Sequence, residues 1–397
     1  MLPFVIIGSG VIGTTVALEL AKRRAGPVVV LEKEDALGRH ASGRNSGVLH
    51  SGINQKPGSL KARMCVEGSR LLREYCVRKG VPMVECGTLV AARSENDMAV
   101  LHRILDMGRQ CGVPDLRILS RNELARREPV ALGIAALLSP TGATVDSPAL
   151  LESLARDARE AGVEYRLGQK ALRIEGCDIL TRDGTVRAAH IVNCAGLYAD
   201  EIAHEMGLGG SYRVIPFRGE YMEVKGCDVR GMIYQPPDLR FPFLSIHLTR
   251  ETDGRVLAGP SAVLSFGKEA YNKEWKWGEM MSMFSSRQFL ALILSPAFLK
   301  LAWENGRTSF SSRAFLGEIQ SLVSGVTASQ LVPSRAGIRA QMVDANGRLV
   351  DDLLVVSGDH STHVLNAVSP GLTSSLAFAQ YVADQVLNPG VTSECGR

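Results

Sequence analysis

Neither sign of charge dominates this sequence. Lys and Arg number 45 and Asp and Glu 41, which leaves a net charge of +4 over 397 residues. Because nucleic-acid-binding domains usually carry a clear basic excess, this balance argues against a nucleic-acid partner. The eight cysteines include no Cys-x-x-Cys pair. The sequence therefore predicts no metal site and no disulfide scaffold.

The amino terminus lacks the features of a leader. An apolar stretch begins at Phe4, and no basic segment precedes it. We therefore expect no cleavable signal peptide and a cytoplasmic protein.

Glycine, by contrast, is in excess: 40 of 397 residues is about 10%, against about 7% in average proteins. Such an excess is typical of tight turns and of backbone that approaches a ligand closely.

The first of these glycines form a nucleotide-binding pattern. A short apolar run over 4–7 precedes Gly8-x-Gly10-x-x-Gly13, helical spacing follows over 14–24, and a second apolar run over 28–31 ends on Glu32. This order predicts a dinucleotide-binding βαβ unit, with the pyrophosphate at the helix amino terminus and Glu32 on a ribose hydroxyl. The pattern leaves NAD and FAD open.

A polar, glycine-rich segment over 33–52 follows this unit. It is too polar for a core strand, and its Ser42, Arg44, Asn45 and Ser46 would supply hydrogen-bond donors along a long cofactor. A surface loop without a cofactor role is the alternative. A segment of this kind after the second strand favours FAD, the longer cofactor, without excluding NAD.

Seven stretches, spread over nearly the whole chain and in family order, carry a resemblance to a known family. They are 43–50 (GRNSGVLH), 56–62 (KPGSLKA), 216–221 (PFRGEY), 242–250 (PFLSIHLTR), 259–264 (GPSAVL), 336–341 (AGIRAQ) and 366–375 (NAVSPGLTSS). The sequence resembles the FAD-dependent oxidoreductases of the D-amino-acid oxidase and glycine oxidase fold, and within them the L-2-hydroxyglutarate oxidases and dehydrogenases. One departure concerns Asn54-Gln55, which stand where the family commonly carries two tyrosines.

The pattern of elements predicts an α/β fold in which a Rossmann-type FAD-binding domain is interrupted by an α+β substrate domain built on an antiparallel sheet. We expect the FAD-binding domain to comprise 1–80, 145–212 and 331–397, and the substrate domain 81–144 and 213–330. Ser147-Pro148 predicts a helix start with Ser147 as the N-cap. Predicted strands include 84–91, 191–196, 214–224, 232–234, 243–248, 255–258 and 353–356, and predicted helices include 59–79, 96–111, 120–128 and 374–387.

The fingerprint, the polar segment and the resemblance together give a set of expected FAD-binding residues. These are Gly8, Gly10, Val11, Ile12, Gly13, Glu32, Lys33, Ser42, Arg44, Asn45, Ser46, Gly47, Leu49, Ala195, Gly196, Arg339, Gly371, Leu372 and Thr373.

The resemblance implies oxidation of a 2-hydroxy acid to a 2-oxo acid, with hydride transfer to the flavin and proton transfer to a base. Histidine suits the base because its pKa lies near neutrality, so we choose His50 first and His247 second. Arginine binds carboxylates in bidentate fashion, which favours Arg218 and Arg339; Tyr234 is a weaker pocket candidate. A structural histidine and a surface ion pair are the respective alternatives.

Three other functions remain open. The same fold would serve an amine or amino-acid oxidase acting on glycine, sarcosine or a D-amino acid. A non-enzymatic FAD-bearing assembly or tRNA-modification partner is a second alternative, and an NAD-dependent dehydrogenase a third. The electron acceptor, oxygen or a membrane quinone, is also open.

The segment over 275–303 is apolar and is interrupted by Pro296. Its longest apolar part has about 15 residues, fewer than the ~20 that span a bilayer. The segment therefore predicts either a pair of packing helices or an interfacial anchor that gives peripheral membrane contact near a quinone.

Overall fold

The computed structural model describes residues 1–237, 246–296, 298–299 and 311–388. The strands are β1 Phe4–Ile7, β2 Val28–Leu31, β3 Val48–Leu49, β4 Met83–Val84, β5 Thr88–Ala92, β6 Arg117–Ser120, β7 Ala135–Ser139, β8 Ala143–Val145, β9 Glu164–Arg166, β10 Arg173–Glu175, β11 Asp178–Thr181, β12 Gly184–Arg187, β13 His190–Asn193, β14 Arg213–Val224, β15 Met232–Tyr234, β16 His247–Arg250, β17 Val256–Gly259, β18 Val263–Leu264, β19 Leu331–Val343, β20 Leu354–Gly358 and β21 Ser361–Asn366. The α-helices are α1 Val11–Lys22, α2 Leu60–Lys79, α3 Glu95–Gln110, α4 Arg121–Arg127, α5 Ser147–Glu160, α6 Ala199–Glu205, α7 Trp277–Phe284, α8 Arg287–Ile293, α9 Ser312–Leu322 and α10 Gly371–Leu387.

A six-stranded sheet in the order β20-β21-β13-β1-β2-β9 forms the first layer. The pairs β1–β2, β1–β13, β2–β9 and β13–β21 are parallel, and only β20 runs antiparallel to its neighbour. Helices α1, α2, α5 and α10 pack together beside this sheet around one apolar core. Its strands come from both ends and from the middle of the chain, as a discontinuous domain requires.

The second layer is a nine-stranded sheet, with the path β18-β14-β17-β16-β15-β5-β7-β6 and with β19 paired to β14. Its pairs are antiparallel except β5–β15. Helices α3 and α9 cover it through separate apolar clusters. The predicted fold class, a Rossmann-type domain with a substrate domain built on an antiparallel sheet, is confirmed. The domain boundaries stay a prediction.

Local differences from the predicted elements have simple causes. The predicted strand over 84–91 is divided into β4 and β5 because Gly87, at a φ of +73°, interrupts it. Helix α5 begins at Ser147, but its N-cap is Asp146, whose side chain accepts a hydrogen bond from the Ala149 amide. The prediction of Ser147 as the cap was wrong by one residue. The first half of the predicted strand over 243–248, residues 243–245, lies outside the described residues, and its last two residues begin β16.

Candidate functional site

A cavity of about 1310 Å³ lies between the two sheets. Ile7, Leu31 and Cys194, at the carboxyl ends of β1 and β2 and just after β13, contribute to one wall. The opposite wall includes β14 and β19, which pair antiparallel with Phe217 opposite Arg339. Ligands of open α/β sheets bind at these strand ends. The cavity therefore lies where the nucleotide-binding pattern places a cofactor.

Backbone geometry accounts for the three fingerprint glycines. Gly8 has a φ of +101°, and a Cβ there would lie 2.6 Å from the Cys194 carbonyl oxygen. A Cβ on Gly13 would lie 1.9 Å from the Gly8 carbonyl oxygen, so only glycine allows α1 to pack this close to β1. Gly10 lines the cavity at the amino terminus of α1, where backbone amides attract anions.

Glu32 lies at the cavity wall, and its carboxylate stabilises the turn before α1 through hydrogen bonds. One carboxylate oxygen accepts hydrogen bonds from the Ser9 amide (2.9 Å) and hydroxyl (2.7 Å), and the other accepts one from the Glu34 amide (3.0 Å). A carboxylate has about four acceptor positions, so capacity for a ribose hydroxyl remains.

The polar segment after β2 returns along the cavity as predicted, but some of its side chains bind the segment itself. The Ser42 hydroxyl accepts a hydrogen bond from the Val11 amide at 2.9 Å. Asn45 donates to the Ser42 carbonyl oxygen (2.7 Å), and its own amide oxygen accepts from the Gly47 amide and the Ser147 hydroxyl. Its side chain therefore stabilises the loop, although the residue also lines the cavity.

The amino terminus of α10 forms another part of the wall. Its first residues Gly371, Leu372 and Thr373 line the cavity, and no side chain caps this helix end. The Thr373 hydroxyl accepts a hydrogen bond from the His50 amide at 3.0 Å, which fixes the backbone of His50 beside it. Of the expected FAD-binding residues, the structure places all on the cavity wall except Gly13, Gly47 and Leu49. Leu49 belongs instead to the apolar core under the first sheet.

Two of the predicted catalytic residues, His50 and His247, line the cavity. His50 is half-buried, and burial lowers its pKa to about 4, with the nearby charges of His247 and Lys61 adding to the effect. At neutral pH its imidazole is therefore uncharged and able to accept a proton. His247 is 4% exposed and stacks on Tyr234, with 4.1 Å between ring centroids.

Tyr234 lies behind the histidines rather than on the main cavity wall. It borders a separate small cavity of about 20 Å³, together with His50 and Thr88. Its hydroxyl is buried and has no hydrogen-bond partner among the residues that the structure describes. The geometry gives it the role of supporting the His247 ring.

The two predicted carboxylate-binding arginines lie on opposite faces of the β14–β19 pair because of the strand register. Arg339 lies opposite Phe217 on the face of β14–β19 that lines the cavity, and burial lowers its pKa to about 10, so it remains charged at neutral pH. Arg218 is the next residue along β14 and points to the other face. Its guanidinium donates to the Tyr271 carbonyl oxygen and to Glu220, each at 2.7 Å. The structure does not bring Arg218 to the cavity.

Sequence analysis missed a further cation at this wall. Lys61 and Asp351 line the cavity, and the Lys61 ammonium lies 2.5 Å from an Asp351 carboxylate oxygen. Because the charge of Lys61 acts on His50 and the charge of Asp351 acts on Arg339, these groups lie within electrostatic reach of each other. We call His50, His247, Lys61, Asp351 and Arg339 the cavity cluster. The KPGSLKA stretch contained the available signal, but a lysine in the first turn of a helix is usually exposed, so the residue type alone did not indicate that Lys61 is buried.

Comparisons with known proteins extend over the whole chain. Residues 4–385 match the family model described as FAD dependent oxidoreductase (DAO). The chain is 36% identical to the mitochondrial L-2-hydroxyglutarate dehydrogenase of Homo sapiens, over 96% of this chain and 88% of that protein. It is 31% identical to the L-2-hydroxyglutarate dehydrogenase of Escherichia coli K12, over 100% and 97% of the two chains.

Among solved structures, L-alpha-glycerophosphate oxidase from Mycoplasma pneumoniae with FAD bound matches with a TM-score of 0.77 and 22% identity, over 100% of this chain and 97% of that chain. Glycine oxidase from Geobacillus kaustophilus matches with a TM-score of 0.73 and 20% identity, over 100% of both chains. At this identity the structural matches establish the fold.

Proposed function

The chain belongs to the DAO family of FAD dependent oxidoreductases, and on that premise we propose that it oxidises L-2-hydroxyglutarate or a similar 2-hydroxy acid to the 2-oxo acid. The substrate class comes from the curated relatives. The observation on this chain that supports it is the cavity cluster, in which an uncharged histidine, the buried Lys61 and the half-buried Arg339 line one cavity. An amine substrate would find two cations there, which disfavours the amine-oxidase alternative.

The residues present fit FAD. Two helix amino termini, those of α1 and α10, reach the cavity wall, and neither N-cap residue supplies a side-chain hydrogen bond. Cβ positions built on Gly196 and Gly371 meet no atom within 4 Å, so the backbone there is open to a ligand. We propose that the α1 terminus and Glu32 hold the dinucleotide, and that the segment around Ser42 to Ser46 and the α10 terminus hold the flavin side.

When bound, FAD supplies the acceptor for the hydride that leaves the substrate Cα. We propose that Nδ1 or Nε2 of His50 accepts the hydroxyl proton as the base, and that His247 orients the hydroxyl. The free-protein pKa of about 4 keeps His50 unprotonated before the substrate enters. A substrate carboxylate beside the ring would then favour the imidazolium and raise that pKa, which makes the imidazole a stronger base in the complex.

Arg339 is the group that we propose for the carboxylate next to the reacting carbon. Arg339 is half-buried on the cavity wall, so its charge acts on the substrate with less screening than at an exposed site. Phe217, its neighbour across the strands, contributes an apolar wall. A planar guanidinium holds a carboxylate in a defined orientation. Such a contact would turn the single Cα hydrogen of one enantiomer toward the flavin.

Anaerobic mixing of the FAD-loaded protein with candidate substrates tests this function. We expect L-2-hydroxyglutarate to bleach the oxidised-flavin absorbance, and glycine, sarcosine and D-alanine to leave it unchanged. The D enantiomer of 2-hydroxyglutarate serves as the matched control, since it has the same charge and size. Bleaching by an amino acid but by no 2-hydroxy acid would establish the amine-oxidase alternative instead.

We also propose that the apolar segment contacts a membrane surface and that a membrane quinone, rather than oxygen, accepts the electrons. Large apolar side chains on and beside α7 and α8 are exposed: Trp275 58%, Trp277 66%, Met281 64%, Phe284 41%, Leu290 42%, Leu294 76% and Leu299 57%. The exposed cations Lys273, Lys276 and Arg287 lie among them in the sequence. Exposed tryptophans with neighbouring cations are typical of interfacial binding. None of the described helices is both long and apolar enough to cross a bilayer.

A further inference from the structure

Lys61 is held in a fixed position by the start of α2. The Asp352 carboxylate accepts hydrogen bonds from the amides of Leu60 (3.0 Å) and Lys61 (2.6 Å), and the Ser59 hydroxyl accepts one from the Ala62 amide (3.1 Å). These bonds occupy amides that a helix amino terminus leaves without intrahelical partners. The first turn of α2 is therefore rigid, and it directs the Lys61 side chain toward the cavity.

The ammonium of Lys61 is buried, whereas its partner is not. The Lys61 side chain is 7% exposed and the Asp351 side chain 55%, and both residues line the cavity. An ammonium has three donors, and the described residues give it this one hydrogen bond. The group can therefore donate to a second anion, and Asp351 can turn toward solvent if that anion replaces it.

From this arrangement we propose that Lys61 binds the distal carboxylate of a dicarboxylic 2-hydroxy acid and selects such substrates over monocarboxylic ones. The inference rests on the proposed function, in which Arg339 binds the carboxylate next to the reacting carbon. A dicarboxylate carries two negative charges and needs two cations at the site. Arg339 and Lys61 supply them, whereas Arg218 lies on the other face of β14.

The competing interpretation is that Lys61 and Asp351 form an ion pair that only joins α2 to the segment after β19. The two interpretations differ in what neutralising Asp351 does. If the pair is structural, Lys61→Met and Asp351→Asn remove the same interaction and have similar effects. If Lys61 binds substrate, Asp351 competes with the substrate for it, and the two substitutions act in opposite directions.

The test compares glutarate with butyrate, which lacks the distal carboxylate, as ligands of the FAD-loaded protein. Binding is measured by calorimetry and by the change in flavin absorbance. For Lys61→Met we expect the glutarate Kd to rise roughly 10–100-fold, as for a lost hydrogen bond to a charged group, and the butyrate Kd to stay within about twofold. For Asp351→Asn we expect the glutarate Kd to fall or stay unchanged.

Lys79→Met is the matched control. Lys79 lies in the last turn of the same helix and forms an ion pair with Asp157 at 2.6 Å, away from the cavity wall. We expect both ligands to bind this variant as they bind the wild type, and thermal unfolding to show that all three variants are folded. Equal weakening of glutarate and butyrate by Lys61→Met, or weaker glutarate binding by Asp351→Asn, would overturn the inference.

Failure of the proposed function gives a different result. In that case no 2-hydroxy acid bleaches the wild-type flavin, while the glutarate and butyrate measurements still report on Lys61. Single-turnover reduction by 2-hydroxyglutarate and by 2-hydroxybutyrate adds a second readout. We expect Lys61→Met to weaken the apparent affinity for 2-hydroxyglutarate by a much larger factor than that for 2-hydroxybutyrate, since losing the charge that acts on His50 affects both substrates alike.

Discussion

Single residues decide how closely the backbone approaches the cofactor, and Gly13 shows this most clearly. It lies in the first turn of α1, where alanine, which differs from glycine by one methyl group, would favour the helix more strongly. Yet a Cβ there would lie 1.9 Å from the Gly8 carbonyl oxygen and 3.3 Å from the Cys194 side chain. The helix cannot accommodate a methyl group without moving away from β1.

We therefore expect Gly13→Ala to lower the free energy of unfolding by roughly 1–3 kcal/mol, the usual cost of overpacking, and to weaken FAD retention. Thermal unfolding and the flavin content of the purified protein measure both effects. The control is Gly317→Ala in α9, where a Cβ meets no atom within 4 Å. There the helix propensity of alanine should raise stability by up to about 1 kcal/mol. Equal unfolding temperatures for the two variants would show that the close approach has no energetic cost.

At the scale of elements, α7 and α8 form a two-sided structure. Met283, Phe289 and Leu292 are buried against β14 and β19, together with Ile215 and Val343. The opposite side exposes the apolar side chains that we propose to contact a membrane. The packing-helix interpretation accounts for the buried side, and membrane contact of the exposed side stays a proposal.

The double variant Trp277→Ser, Leu294→Ser tests the exposed face. Both side chains are more than half exposed, so the folded protein should tolerate the change. We expect binding to vesicles of phosphatidylcholine and phosphatidylglycerol to weaken at least about tenfold, since burying one such side chain contributes roughly 1.5–3 kcal/mol. Co-sedimentation measures the binding, and Val77→Ser on α2, also an exposed apolar residue at 75%, is the control. If both variants bind vesicles as the wild type does, the face has another role.

At the scale of the whole molecule, buried histidines make stability depend on pH. Burial lowers the pKa of His50, His190 and His363 to about 4 each, from an ordinary value of 6.5. Between pH 6.5 and 4 the unfolded chain binds protons at these positions and the folded chain does not. The free energy of unfolding therefore rises with pH across this window and falls as the solution is acidified.

We expect the unfolding temperature to be highest above pH 6.5 and to decline steadily toward pH 4, measured by calorimetry in buffers of constant ionic strength. The His190→Gln variant removes one of the three groups and keeps a donor for the Thr362 hydroxyl, which lies 3.0 Å from the His190 ring. Its unfolding temperature should depend less steeply on pH. An unfolding temperature that is flat from pH 7 to 5 would contradict the assignment of these histidines as uncharged in the folded state.

Much of the cofactor site was predictable because its signals are local. The fingerprint glycines, Glu32 and the polar segment after β2 lie within about fifty residues, and the physical role of each follows from its residue type. His50 was predictable as a candidate for the same reason, since it lies near the end of that segment. The resemblance then identified the cofactor as FAD, which the spacing alone had left open.

The substrate side depended on the tertiary structure. Arg218 and Arg339 are equally plausible in sequence, but side chains alternate along a strand, so the register of β14 against β19 decides which of them faces the cavity. The sequence by itself determined the nucleotide-binding unit and the place of His50 near it, because neighbouring residues carry both signals. Only the tertiary structure placed Lys61 and His50 near Asp351, since Lys61 and Asp351 meet there although they lie 290 residues apart in the chain.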